Sequence, residues 1–202
     1  MKLFSAICLI SLLISCSNPE TNSNTTADPN TTTNANSNTS NTTPPQNSQN
    51  SNAILTSFNN LEIQFKDIQK RVTEERENWT KSYEEMQYPE STIQSLSEEN
   101  QKKLSVLYQG ARNQGERYQA LIDEVSEWNS NWKDIQYRAN LIKEKTDKEE
   151  NVDAQNLAVM DQKIQEARQK IQDWNNRLSN LKAETVLIYN SINGIVISSG
   201  GD

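Results

Sequence analysis

Histidine is absent from this chain, and with it go the usual general base, the imidazole of a nucleophile triad and the commonest metal ligand. Cysteine occurs only as Cys8 and Cys16, so everything downstream lacks a thiol for catalysis, zinc or a disulfide. Glycine and proline number five each, and no proline lies beyond Pro89, a composition suited to long helices. There is no Gly-rich phosphate loop, nucleophile elbow or metal-ligand spacing. Adjacent carboxylates such as Glu74-Glu75, Glu84-Glu85 and Glu149-Glu150 have no evident pocket to raise one pKa for acid–base work. With net charge −7 and pI about 4.8, no basic footprint exists for nucleic acid, and an acidic surface discourages adsorption to anionic headgroups. These absences predict a chain that is not an enzyme and uses no cofactor, metal or nucleic-acid partner.

What is present begins with a leader. Lys2 precedes an apolar stretch containing Phe4, Ile7, Leu9, Ile10, Leu12 and Leu13, about 18 Å long as a helix and too short to span a bilayer. It ends in Leu13-Ile14-Ser15-Cys16, which resembles the lipobox of bacterial lipoproteins: an aliphatic residue, a tolerant position, a small residue, then cysteine. That resemblance implies removal of residues 1–15 and a thioether-linked diacylglycerol on Cys16, a palmitate-type membrane anchor. Two or three acyl chains anchor stably where one binds only marginally. Ser17, in place of Asp, resembles the signal that lets such proteins leave the inner membrane.

From residue 17 to residue 52 the chain is almost wholly Asn, Thr, Ser, Pro and Gln, with Ala27 and Ala35 its only aliphatic residues. It cannot bury enough apolar area to offset chain entropy, which predicts a disordered tether of roughly 35 Å root-mean-square reach. A lipidated cysteine, a long Ser/Asn/Thr tether and a helical domain together are similar in architecture to spirochaete outer-surface lipoproteins.

From Ala53 onward apolar residues recur every three and four positions. This predicts helices over about 53–87, 91–147 and 153–193 within a domain spanning 53–197, followed by a disordered tail, 198–202. Pro89 closes the first helix, Ser91 with Gln94 forms a capping-box pattern for the second, and Asp153 is placed to cap the third. Asn193-Gly194 reads as the final stop, and Gly110 and Gly115 as weak points where the second helix can kink. The expected fold is all-α: an elongated antiparallel three-helix coiled-coil bundle behind its tether.

In an antiparallel pair, facing residue numbers have a nearly constant sum. Pairs such as Phe58/Leu121 and Ile68/Ala111 add to about 179, and Ile135/Ala167 and Trp128/Trp174 to about 302. These registers predict a three-helix middle with a two-helix arm at each end. Trp128, Trp132 and Trp174 then cluster where the first helix has run out, either as exposed anchors for a protein partner or as plugs of the core. Trp79, opposite Asn100 in the same register, has the same two readings. Glu75, Ser82, Ser97, Asn100 and Gln114 fall at core positions, where they fix register or mark a seam for other copies. The Lys143–Glu150 charges are a solvated turn or an exposed contact epitope.

Three functions follow as expectations. The first is an outer-membrane or cell-surface lipoprotein, membrane-bound through its lipid, that presents a helical surface to a protein partner, a host factor if the domain lies outside the cell. The second is a periplasmic spacer or assembly scaffold. The third is a homo-oligomer whose two-helix arms complete one another.

Overall fold

The computed structural model describes residues 46–199; Cys16, the leader, the tether as far as residue 45 and residues 200–202 lie outside the described residues. Five helices follow in order: α1 (Gln46–Glu85), α2 (Glu90–Gln94), α3 (Glu98–Glu127), α4 (Asn129–Asp147) and α5 (Ala154–Ser199). No strand occurs among the described residues, and none of their helices is long and apolar enough to cross a membrane. The fold is all-α, a three-helix antiparallel bundle. Helices α3 and α4 act as one rod. Between them Trp128 keeps helical dihedrals (φ −71°, ψ −8°), donates its N–H to the Glu124 carbonyl at 3.1 Å and accepts from the Trp132 N–H at 3.0 Å. The 46 residues of α5 rise roughly 70 Å.

Several boundaries differ from the sequence expectations. Helix α1 begins at Gln46, inside the stretch read as tether, and Ser51 within it is buried. Ser91 caps nothing: the position before α2 is Pro89, without a side-chain cap bond, and Gln94 bonds instead to Glu90. The chain breaks at Ser95–Ser97 and restarts where the Ser97 hydroxyl accepts from the Asn100 N–H at 3.3 Å, with Glu98 and Glu99 complementing the helix dipole. Gly110 and Gly115 cause no kink, since α3 runs through both. Nor does Asn193-Gly194 end α5. Ile192 and Val196 are buried, which outweighs the roughly 1 kcal/mol that glycine costs inside a helix.

The turn between α4 and α5 closes as a Schellman motif: Glu149 N–H bonds to the Thr146 carbonyl and Glu150 N–H to that of Lys145. Glu149 occupies the left-handed position, φ 57°, usually taken by glycine. Asp153 then caps α5 as expected, accepting from the Gln155 N–H at 3.2 Å.

One register holds and one does not. Between the α3–α4 rod and α5, the pairs Arg117/Glu184, Tyr118/Thr185, Trp128/Trp174 and Asn100/Ser199 all lie near the expected sum of 302. Between α1 and the rod, Glu62/Gln136, Gln69/Asn129, Phe65/Trp132 and Trp79/Tyr118 add to about 197, not 179. The shift carries α1 along the rod to the α4 end, so no two-helix arm remains there. At the other end α1 stops early, and residues 86–97 take its place against α3. The Tyr108 hydroxyl pins that connector, donating to the Met86 carbonyl at 2.7 Å and accepting from the Tyr88 N–H at 3.4 Å.

Two cores result. The larger runs from Phe58 to Leu181 through all the long helices, while Met86, Leu96, Leu104 and Ile192 form a separate one under the connector. Among the described residues, neither end of the bundle is an open two-helix arm of the kind expected.

Candidate functional site

The tryptophans do come together, and α1 covers them. Phe65 of α1 stacks on Trp132 at 4.6 Å between ring centroids and meets Trp128 edge-on at 5.7 Å, while Phe58 stacks on Trp132 at 5.7 Å. Trp132 is 4 % exposed and Trp174 0 %, so both belong to the core and neither offers a surface to a partner. Of the two readings for Trp132 and Trp174, the core plug holds, because α1 lies some 18 positions from the expected register and covers them. Trp128 alone of the three is half-buried. One side packs edge-on against Trp174 at 5.7 Å; the other lines an open groove of about 440 Å³ between α4 and α5, with Asn131, Lys163, Glu166, Lys170 and Asp173.

A charge network fixes one wall of that groove. Glu124 accepts from Arg177 at 2.5 Å, from the Trp174 indole N–H at 3.1 Å and from Lys170 at 3.3 Å. The Arg177 hydrogen bond, followed by those from Trp174 and Lys170, outweighs desolvation and holds its pKa down to about 2. Lys163 reaches Asp134 at 2.8 Å, and with Arg138 keeps that carboxyl below the usual range. The groove therefore joins one aromatic face to charges already committed to partners. That chemistry suits a peptide-like surface with an apolar anchor and a mixed-charge rim.

Trp79 faces Gly115 and Tyr118, not Asn100. It is 7 % exposed, stacks on Tyr83 at 5.1 Å, lies under the Arg76 guanidinium at 4.3 Å and leaves its indole N–H without a hydrogen bond. A Cβ at Gly115 would lie 2.7 Å from Trp79 Cζ2, so this glycine is the slot that admits the indole. Of the five polar positions assigned to the core, only Gln114 is fully buried there, donating to the Leu181 carbonyl at 2.8 Å. Glu75 pairs with Lys182, Asn100 bonds to Ser199, Ser97 is a cap and Ser82 is half-buried.

The Glu124 network and the Gly115 slot escaped sequence reasoning, because both depend on residues far apart whose partners appear only once the helices are in register. Cys16 lies outside the described residues. Lys143 pairs with Asp147 and Lys148 with Glu144, so these two basic side chains near the tip are tied along their own helix.

In comparisons with known proteins, the chain matches no family model, no curated protein and no solved structure.

Proposed function

We propose that this chain is a lipid-anchored lipoprotein of the bacterial cell envelope that holds its helical bundle off the membrane and presents the Trp128 groove to a protein partner. The observation that carries the reading is the sequence Leu13-Ile14-Ser15-Cys16 at the end of an apolar leader, followed by a polar stretch and then an amphipathic helical domain. Ser17 after the cysteine favours the outer membrane or cell surface. The groove supports partner binding because Trp128 is the one tryptophan of its cluster with a face outside the core. A periplasmic spacer is the second reading, favoured by the roughly 70 Å rise of α5.

Growth of an expressing bacterium with labelled palmitate tests the anchor. Label should enter the wild-type chain and be lost in Cys16→Ser; an unlabelled wild type ends the lipoprotein reading. Protease treatment of whole cells separates the locations, as digestion of the bundle in intact cells places it outside and survival supports the spacer. For partner binding, Trp128→Ala should reduce recovery of any partner captured in the native envelope at least tenfold while leaving the circular-dichroism spectrum unchanged. Undiminished recovery would remove the groove from the account.

A further inference from the structure

The last turns of α5 differ from the rest of the bundle. From Thr185 to Ser199 there is no charged residue, and the facing stretch of α3, Leu104 to Ala111, has none either. Four large apolar side chains stand in solvent at this end: Val106 is 72 % exposed, Val186 53 %, Leu187 66 % and Ile197 73 %. Helical spacing puts Val186, Leu187, Asn190, Gly194 and Ile197 within an arc of about 100° on α5. Val106 stands on α3 at the same end, in a groove with Ile93, Tyr108 and Arg112. Asn190 lies nearest the centre of the α5 arc, and Gly194 lies toward the Leu187 edge. A Cβ there would meet nothing within 4 Å, so packing within the chain gives no reason for a residue that weakens the helix.

Charge selects the occupant. The chain carries −7, so two copies repel across most of their surface, and a two-fold contact sets each patch against itself. A charged patch then meets its own sign, whereas an uncharged one does not. Most flanking charges are paired: Lys102 and Lys103 with Glu98 and Glu99, and Arg117 with Glu184. The other exposed apolar residues lack this setting, since Ile63 sits beside Glu62, Lys66 and Asp67, Tyr137 beside Lys133, Asp134 and Arg138, and Leu141 beside Arg138, Glu144 and Lys145. We propose that a second copy of this chain docks on the uncharged face, α5 against α5, with Gly194 leaving room on the Leu187 side for the partner helix to approach. This contact is separate from the Trp128 groove, so one surface can fail without the other.

The test uses the full chain with Cys8→Ser and Cys16→Ser, which removes lipid and stray thiols. Sedimentation from micromolar to near-millimolar concentration should show a monomer–dimer equilibrium. Leu187→Glu combined with Ile197→Glu, both exposed and tolerable to the fold, should weaken it at least tenfold at an unchanged melting temperature. Adding Gly194→Cys should give a disulfide-linked dimer on mild oxidation, while Ile63→Cys should not. A monomer at every concentration overturns the proposal. So do association that survives the double substitution and equal cross-linking at both cysteines. Binding to neutral phosphatidylcholine vesicles, lost in the double variant and without self-association, would assign the face to lipid instead.

Discussion

Replacing Gly115 by alanine tests the packing that sets the position of α1. The new methyl would lie 2.7 Å from Cζ2 and 2.9 Å from Cζ3 of Trp79, inside any normal carbon–carbon contact. The indole cannot easily retreat, held by Tyr83 at 5.1 Å, Tyr118 at 6.5 Å and the Arg76 guanidinium at 4.3 Å. Alanine gains about 1 kcal/mol of helix propensity over glycine. Overpacking a rigid ring costs about 2–3 kcal/mol. The expected result is a net loss of about 1–2 kcal/mol, read from urea unfolding followed by far-ultraviolet circular dichroism. In a Trp79→Phe background the obstructing ring is gone, and the same alanine should be neutral or stabilising by up to about 1 kcal/mol. The two substitutions should therefore couple by at least about 1 kcal/mol. If Gly115→Ala alone matches or exceeds the wild type in stability, the slot does not exist and the α1 register near 197 loses its best support.

Two further outcomes concern stability. Glu124 has a folded pKa of about 2 against an ordinary value of 4.5, so its network stabilises the fold above pH 4.5 and that contribution fades as pH falls toward 2. Screened by solvent, it amounts to about 1–2 kcal/mol; urea midpoints should fall more steeply over this window in the wild type than in Glu124→Gln, and parallel curves would refute the assignment. Glu149→Gly should raise stability by about 0.5–1 kcal/mol by relieving the left-handed backbone at φ 57°, measured by thermal unfolding at neutral pH, and a lower midpoint would count against the strain.

Helical content, the core-facing residues and the pairing of the α3–α4 rod with α5 were legible in the heptads. Tightness of the turn made the second pairing readable. Lys148–Asp153 is a short reversal centred near residue 151, and a centre near 151 fixes a sum near 302. The α1 pairing failed for the complementary reason. A heptad pattern looks alike after a shift of two and a half repeats, so Phe58 and Phe65 fit Leu121 and Gln114 about as well as Trp132. Only the connector decides: a reversal centred on Pro89 would give a sum near 179, and a longer connector shifts it. The real chain spends residues 86–97 lying along α3, held by Tyr108 and by Gln101, whose amide donates to the Leu96 carbonyl at 2.9 Å. The tryptophans' clustering was readable and their burial was one of two readings, but the residues that bury them, Phe58 and Phe65, depend on the α1 register.

Because α1 and α5 run parallel, with Arg71 bonded to Asn175 and Glu75 to Lys182, the two long outer helices start at one end of the bundle and finish toward the other. Tension applied between Gln46 and Ser199 thus acts along the rods. Their interlocked side chains would have to slide past one another together, instead of peeling apart turn by turn. Pulled this way, the bundle should yield at higher force and more abruptly than when the same force is applied across two neighbouring helix ends, a contrast that single-molecule stretching from the two attachment geometries can measure.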